Sequence, residues 1–136
     1  VELMNLVDII VPNETETEFL TGCRLTDMET IKSAARHLLA ESAPTVILTL
    51  GDQGALLATA EGIQLFPSYS VKAVDATAAG DAFCGTLAVS IARGDSWESA
   101  VKFANAAGAL TVTKLGAAPS IPMREQVIEL IERNRN

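Results

Sequence analysis

The order of apolar segments in this chain of 136 residues predicts an α/β fold, in which helices cover a β-sheet. Two continuous apolar runs, Leu6 to Val11 and Thr45 to Leu50, are rich in β-branched residues and have the length of buried strands. Between them, apolar residues from Ile31 to Leu39 recur at helical spacing. Because such folds bind ligands at the carboxyl ends of their strands, functional residues are expected there.

Two helices are predicted between these strands. A short acidic helix is expected from Glu14 to Thr21, closed by Gly22, with Phe19 and Leu20 packed inward. Capping-box spacing from Thr26 to Glu29 predicts the start of the second helix.

The remainder of the chain predicts further extended segments and then helices. Extended segments are expected at Ala55 to Thr59, Ile63 to Tyr69 and Val71 to Val74, the first of them after a tight turn at Gly51 to Gly54. Helices are expected from Asp81 to Arg93, from a cap at Asp95 or Ser96 to about Thr113, and from Ser120 and Pro122 through Ile131.

Composition and charge exclude several function classes. Apolar residues make up 49% of the chain and charged residues 20%, which is typical of a globular domain rather than a disordered one. A net charge of −7 disfavours binding to nucleic acid or to an anionic membrane. No apolar stretch approaches the roughly 20 residues that span a bilayer. Cys23 and Cys84 lack the spacing of a disulfide framework or a zinc site, so a cytoplasmic protein is expected.

The segment from Ala78 to Asp81 is the first candidate for chemistry. Its small residues open a predicted helix, where free N–H groups attract a phosphate. The carboxylate of Asp81 is placed to accept the proton of an attacking hydroxyl group while those N–H groups hold a phosphoryl group. A plainer interpretation is that Asp81 is a first-turn acid favoured by the helix dipole.

Two further candidates follow strands. Thr49 to Gly54 ends a strand with glycines three residues apart, which either wraps backbone around a nucleotide or forms an ordinary hairpin turn. Asn13 and Glu16 lie three residues apart at a helix start, where both side chains can face a hydrated Mg²⁺. Here the plainer alternative is a solvated helix start.

Together these segments resemble the carboxyl-terminal part of the ribokinase-like (PfkB) family of carbohydrate kinases. The family signature, roughly D-T-x-[GA]-A-G-D-x-F, corresponds to Asp75 to Phe83, with Ala76 in place of the usual Thr. The family's N-x-x-E motif matches Asn13 to Glu16, its T-L-G-x-x-G motif matches Thr49 to Gly54, and its late loop matches Lys114 to Pro122. Neither a Walker A motif nor the protein-kinase motifs occur.

The resemblance implies a three-layer α/β/α Rossmann-like sheet and a role for each matching residue. Asp81 becomes the catalytic base, and Ala78, Ala79 and Gly80 become the anion hole. The implied ATP-binding residues are Asn13, Thr49, Gly51, Gly54, Gly80, Asp81 and Asn105. The implied metal sites hold Mg²⁺, through water, at Asn13 and Glu16, and K⁺ at Asp75, Thr77, Thr111, Lys114, Gly116 and Ser120.

The function implied by the resemblance is transfer of a phosphoryl group from ATP to a primary hydroxyl of ribose or a related sugar. Two alternatives stay open: a nucleotide-binding fragment that is inactive alone, and a kinase for another acceptor such as fructose, a ketodeoxy acid or a nucleoside. Residues 1–136 are expected to form the ATP-binding, catalytic part of a longer protein. The family's amino-terminal sugar-binding half and lid are not in this sequence. The parent protein is expected to bind ATP and a small sugar and to form a homodimer.

Overall fold

The computed structural model of the chain describes residue 4 and residues 6–134. They divide after Phe66 into two compact units. The first, called the sheet unit here, ends at Phe66, and the second, called the helical unit, begins at Pro67. Each unit has its own packed helices and its own set of predicted site residues.

The sheet unit contains a mixed four-stranded sheet. Its strands, in chain order and in order across the sheet, are β1 (Ile9–Ile10), β2 (Thr45–Thr49), β3 (Ala55–Thr59) and β4 (Gly62–Phe66). β1 runs parallel to β2, with Ile9 opposite Thr45, whereas β2, β3 and β4 are joined as antiparallel neighbours. The predicted α/β class and the tight turn before β3 are therefore confirmed. The extended segment predicted from Ile63 to Tyr69 ends as a strand at Phe66.

Two helices complete the sheet unit, α1 (Glu14–Thr21) and α2 (Met28–Glu41). The α2 helix buries the apolar face that its spacing predicted. The core that it forms with β2 and β3 consists of Ile31, Ala35, Leu38, Val46, Leu48, Leu50, Leu56 and Ala58.

The inward packing predicted for Phe19 and Leu20 is wrong. Phe19 is 88% exposed and Leu20 is 41% exposed, whereas Thr17 is fully buried. The α1 helix contacts α2 and β2. Because successive residues of an α-helix are rotated by about 100°, a helix that turns Thr17 inward carries Phe19 on the opposite face.

Two element starts also differ from their predictions. The first strand is limited to Ile9–Ile10, which pairs with β2 alone among the described residues. The capping box of α2 lies one residue later than predicted. The Asp27 carboxylate accepts from the Thr30 backbone N–H at 2.8 Å, and the Thr30 hydroxyl oxygen accepts from the Asp27 N–H at 3.0 Å. An Asp side chain caps a helix at least as well as Thr, so the position with the carboxylate becomes the cap.

The helical unit contains α3 (Ala79–Ala92), α4 (Trp97–Thr111) and α5 (Arg124–Arg133). Alanine-rich faces let α3 and α4 pack closely, and α5 packs on α4 around Ala106, Ala107 and Val127. Across the described parts of both units, no helix has the length and apolar character required to cross a membrane.

Two predictions in the helical unit are corrected. The segment from Val71 to Val74 is not a strand, because its last residue bonds instead to the end of α4, with the Val74 N–H donating to the Val112 carbonyl at 2.7 Å. The last helix begins at Arg124 rather than near Ser120. Ser120 belongs to a short 3₁₀ turn, Ala118–Ser120.

Candidate functional site

In the sheet unit, two predicted nucleotide residues meet where the parallel strands end. Asn13 and Thr49 form an isolated parallel bridge, and the Thr49 N–H donates to the Pro12 carbonyl at 3.0 Å. The carboxyl ends of parallel strands lie at the same edge of a sheet, which explains why residues 36 positions apart become neighbours. The structure thus brings these two residues together, and their contact with a nucleotide stays a prediction.

Asn13 and Glu16 form a reciprocal capping box at the start of α1. The Glu16 N–H donates to Asn13 Oδ1, and the Asn13 N–H donates to Glu16 Oε2, each at 2.9 Å. Glu16 Oε1 and the Asn13 side-chain nitrogen take no part in these two bonds, so one carboxylate oxygen and one NH₂ group are not used by the capping box. That donor set fits a hydrated Mg²⁺ with its nucleotide phosphates, since Mg²⁺ in proteins commonly takes one or two carboxylates, several waters and phosphate oxygens.

A protein-only metal cage is not what these residues form. Within the described portion of the chain, no three His, Cys, Asp or Glu side chains gather as potential metal ligands. An Mg²⁺ ion held by Glu16, as the resemblance implies, would need its other ligands from water and substrate phosphates.

The loop after β2 is a 3₁₀ turn, Gly51–Gln53, bounded by backbone bonds. The Leu50 N–H donates to the Gly54 carbonyl at 2.8 Å, and the Gln53 N–H donates to the Leu50 carbonyl at 3.0 Å. Gly51 has φ 54° and Gly54 has φ 103°, values that residues with a Cβ rarely adopt. The two glycines of the predicted nucleotide loop are thus favoured by its backbone conformation.

In the helical unit, the turn from Ala78 to Asp81 opens α3. Ala78 is the residue before the helix and has φ 63°, ψ 7°, the left-handed conformation, with no side-chain cap. The Ala79 N–H donates to the Ala76 carbonyl at 3.3 Å and the Ala82 N–H donates to the Ala78 carbonyl at 2.9 Å. Among the described residues, no backbone carbonyl accepts from the N–H groups of Gly80 or Asp81. These two amides are the free donors of the first helical turn.

The carboxylate of Asp81 lies at the third position of α3 and is exposed, as is Gly80. Beyond its own helical turn, a Cβ added at Gly80 would meet no atom of the described residues within 4 Å, so the space beside Gly80 is open. Free N–H donors, open space and an exposed carboxylate within one helical turn can bind a phosphoryl group and accept a proton.

The backbone of α4 lies close to this turn. A Cβ added at Gly108 would lie 3.5 Å from the Ala79 carbonyl oxygen, which places the α4 backbone close to the first turn of α3. The Val112 carbonyl accepts from the N–H groups of both Val74 and Asp75, at 2.7 and 3.1 Å. The segment that leads into the turn is therefore fixed to the end of α4.

We expect Ala78→Gly to stabilise the chain. A residue with a Cβ in the left-handed region destabilises the folded chain by about 1–2 kcal/mol, and glycine would relieve this strain. The greater freedom of glycine in the unfolded chain offsets about 0.4–1 kcal/mol of the gain. The free energy of unfolding in urea should thus rise by up to about 1.6 kcal/mol. The control is Ala79→Gly, at a helical position, which should lower it by about 0.5–1 kcal/mol. A loss of stability in Ala78→Gly would show that the left-handed conformation of Ala78 is not strained.

Asp75 connects the predicted potassium residues across the loop. Its Oδ1 accepts from the Thr77 N–H at 2.9 Å and from the Thr77 hydroxyl at 2.6 Å, and its Oδ2 accepts from the Gly116 N–H at 3.0 Å. The hydroxyl of Thr77, its backbone N–H and the Gly116 N–H hold the pKa of Asp75 below its ordinary value of 3.8. The structure thereby brings together three of the six residues that the resemblance assigns to K⁺.

Asp75→Asn should destabilise the chain at pH 7, because its amide NH₂ would face one of the N–H donors. A carboxyl with a lowered folded-state pKa stabilises fully above its ordinary pKa of 3.8, and this contribution is lost as pH falls through the lower folded-state pKa. The difference in unfolding free energy between wild type and Asp75→Asn should therefore shrink below pH 3.8. Urea denaturation at pH 7, 5 and 3 measures it, with exposed Asp95→Asn as the control. If the difference were equal at all three pH values, the Asp75 carboxylate would not be stabilised by its bonds to Thr77 and Gly116.

The other predicted potassium residues have local partners of their own. The Lys114 N–H donates to the Thr111 carbonyl at 3.3 Å, and the buried Ser120 hydroxyl donates to the Ala117 carbonyl at 2.6 Å. The Thr111 hydroxyl donates to the Ala107 carbonyl at 2.8 Å. The oxygens of this set are carboxylate, hydroxyl and carbonyl groups, the kind that K⁺ prefers, and those described here are bonded within the chain. Potassium binding by these residues stays a prediction.

Asn105, the predicted adenine-side residue, lies on α4 and is 6% exposed. Its contact with a nucleotide stays a prediction. Sequence reasoning missed two contributors, the backbone amide of Asp81 as a free donor and the Val112 carbonyl as the anchor of the preceding segment. Neither leaves a signal in residue type, since both act through the main chain.

Comparison with known proteins gives consistent matches. Residues 1–124 match the model of the pfkB family carbohydrate kinases. The chain is 44% identical over 127 residues to the ribokinase of Staphylococcus aureus, an alignment that covers 93% of this chain and 42% of that protein. The structure of Arabidopsis thaliana ribokinase complexed with ribose and ATP matches with a TM-score of 0.90 at 34% identity, over 96% of this chain and 43% of that one.

The phosphofructokinase-2 of Escherichia coli in complex with potassium matches with a TM-score of 0.87 at 25% identity, over 97% of this chain and 42% of that one. The chain thus spans less than half the length of the proteins that it matches.

Proposed function

Because this chain belongs to the pfkB family of carbohydrate kinases, as its motifs indicated, we propose that the protein carrying it transfers the γ-phosphoryl group of ATP to a primary hydroxyl of ribose or a related sugar. The observation that carries the proposal is the first turn of α3, where the free N–H groups of Gly80 and Asp81 adjoin open space and the exposed Asp81 carboxylate. Similarity to ribokinases, one of which was solved with ribose and ATP, supports the choice of acceptor.

In the proposed reaction the sugar hydroxyl oxygen attacks the γ-phosphorus as the bond to the β–γ bridging oxygen breaks, which releases ADP. Asp81 accepts the hydroxyl proton, which lets the oxygen attack without carrying a positive charge. The amides at the start of α3 donate to the transferring phosphoryl group, where negative charge lies in the transition state. The left-handed Ala78 directs these amides, since it sets the angle at which the chain enters the helix.

The sheet unit contributes nucleotide contacts to the proposal. The amide nitrogen of Asn13, the backbone of Thr49 and the loop between Gly51 and Gly54 are assigned to ATP, and Glu16 to the hydrated Mg²⁺ that would neutralise phosphate charge. Asn105 is assigned to the adenine side. Potassium is assigned to the oxygen groups around Asp75, supported by the similar kinase solved with that ion. By resemblance, the parent protein is proposed to be a cytoplasmic homodimer.

The test measures ADP release by the complete protein with Mg-ATP and ribose. In a parallel series, K⁺ is replaced by tetramethylammonium. We expect ribose-dependent ADP release that K⁺ increases, and no release with 5-deoxyribose, which lacks the primary hydroxyl. Fructose, deoxyribose and a nucleoside in the same assay identify any other acceptor. Release that is equal with 5-deoxyribose would overturn the proposal.

The second candidate function is that of a nucleotide-binding fragment. Measurements on residues 1–136 alone distinguish it from the first. The observation that favours it is coverage, since the chain spans less than half of each matching kinase. Calorimetry that detects Mg-ATP binding by the chain, together with no ribose-dependent ADP release, would assign binding to the fragment and catalysis to the complete protein.

A further inference from the structure

Glu14, the first residue of α1, holds its carboxylate beside the predicted nucleotide loop. A Cβ added at Gly51 would lie 4.0 Å from Glu14 Oε2, the one atom within that distance beyond its own neighbours in the chain. The parallel bridge between Asn13 and Thr49 explains the approach, because it sets the first turn of α1 against the residues that follow β2. Since Gly51 has no side chain, the room beside it is left to the carboxylate of Glu14.

The charge of this carboxylate is not neutralised within the described part of the chain. Glu14 takes no part in the ion pairs that the described residues form, which join Lys32 to Glu29, Lys102 to Glu98 and Arg133 to Glu129. Its surroundings add negative charge, since Glu16 lies in the same helical turn and Asp52 follows Gly51 in the loop, and both are exposed. The predicted nucleotide loop is therefore bordered by unneutralised acids.

The net charge of the chain is concentrated in the same unit. Ten acidic and three basic residues precede Pro67, whereas seven of each lie from Pro67 onward, so the net charge of −7 belongs to the sheet unit. Repulsion between like charges grows as they approach and as their number rises. Because Mg²⁺ cancels part of the negative charge of ATP, acids beside the nucleotide loop repel metal-free ATP more strongly than Mg-ATP.

We infer that Glu14 is a specificity-determining residue that makes nucleotide binding depend on Mg²⁺, because its charge repels ATP that arrives without the metal ion. Glu14 acts through this charge rather than as part of a metal cage, since in the described ranges it does not gather with two further potential metal ligands. It is also outside the capping box of Asn13 and Glu16 and outside the first turn of α3. The inference rests on the proposed assignment of the loop between Gly51 and Gly54 to ATP.

The test measures the Kd of ATP by calorimetry in the complete protein, without sugar, once with Mg²⁺ and once with EDTA. Glu14→Gln should tighten the binding of metal-free ATP about 3- to 10-fold and change the Kd of Mg-ATP by less than about 2-fold. The preference for Mg-ATP should therefore fall, and high salt should reduce the difference from wild type, because ions screen exposed charges. Saturation-transfer NMR supplies the Kd where metal-free binding is too weak for calorimetry.

Two further variants are the controls. Glu14→Asp keeps the charge and shortens the side chain by one methylene group, so it should retain most of the preference for Mg-ATP. Glu61→Gln removes an exposed charge from the turn between β3 and β4. That turn follows Thr59, at the opposite end of the sheet from the loop after β2, so this variant should change neither Kd.

Three results would overturn the inference. An unchanged preference for Mg-ATP in Glu14→Gln would mean that this charge does not act on the nucleotide. An equal loss of preference in Glu61→Gln would assign the effect to the net charge of the protein. Weaker binding of Mg-ATP in Glu14→Gln would make Glu14 a ligand of the metal or of the nucleotide.

Each of these results leaves the proposed kinase activity standing, because wild-type protein still binds Mg-ATP in all three. Failure of the proposed function has a different signature. If wild-type protein bound ATP neither with Mg²⁺ nor without it, the assignment of the loop to ATP would be wrong, and the inference about Glu14 would be overturned with it.

Discussion

Asp81→Asn in the complete kinase is expected to lower kcat by about 10²–10⁴-fold, the range associated with loss of a positioned general base. The amide of asparagine cannot accept the hydroxyl proton at neutral pH, although it keeps the shape of the side chain. The N–H groups of Gly80 and Asp81 are unaffected by the change, so the Kd for Mg-ATP should stay within a few-fold of wild type. Pre-steady-state kinetics with ribose, combined with calorimetry of Mg-ATP binding, separates the two effects.

The control for this experiment addresses the plainer role of Asp81 as a first-turn acid. Glu98 occupies the first turn of α4, where it also bonds to Lys102 at 2.6 Å. Glu98→Gln removes a first-turn charge of the same sign and should leave kcat unchanged. If Asp81→Asn and Glu98→Gln both retained full turnover, Asp81 would be a helix-dipole residue and the base would have to be sought elsewhere.

Gly80→Ala is expected to separate folding from catalysis. Gly80 lies in the first turn of α3 outside the left-handed region, and an added Cβ meets nothing within 4 Å, so stability should hold or rise by up to about 1 kcal/mol. The new methyl group would occupy the space beside the free amides, where the phosphoryl group is proposed to bind. The loss of an anion-hole contact of this kind lowers kcat by about 10²–10³-fold.

Gly85→Ala is the matched control for this substitution. Gly85 lies in the same helix, is exposed, and also has no atom within 4 Å of an added Cβ. Both variants remove one glycine from α3, but Gly85 is beyond the first turn and has no free amide. Thermal denaturation and kcat are measured for both. Unchanged kcat in Gly80→Ala, with the chain folded, would mean that the phosphoryl group does not approach this turn.

Much of the candidate site was predictable from sequence because its determinants are local. The glycines at positions 51 and 54 are favoured by backbone conformation, which depends on the few residues around each turn. The capping pair of Asn13 and Glu16 is three residues apart and forms within a single helical turn. Motifs of this kind are visible in the sequence because the interacting groups are neighbours along it.

Contacts between distant segments were not predictable in the same way. The Asp75 carboxylate reaches Gly116, 41 positions away, and the Val112 carbonyl anchors Val74, which turned an expected strand into an irregular segment. Helical spacing predicted α1 but did not decide which side of it would be covered, and Phe19 lies on the exposed side.

The sequence by itself determined the α/β class and the local turns, because periodicity and short-range backbone preferences are properties of neighbouring residues. Its motifs identified the family by resemblance. Only the tertiary structure decided which amides at the start of α3 are free, how Asp75 closes its loop, and that the Glu14 carboxylate lies beside Gly51. These depend on how segments far apart in the chain pack, and packing is set by the whole fold rather than by any one segment.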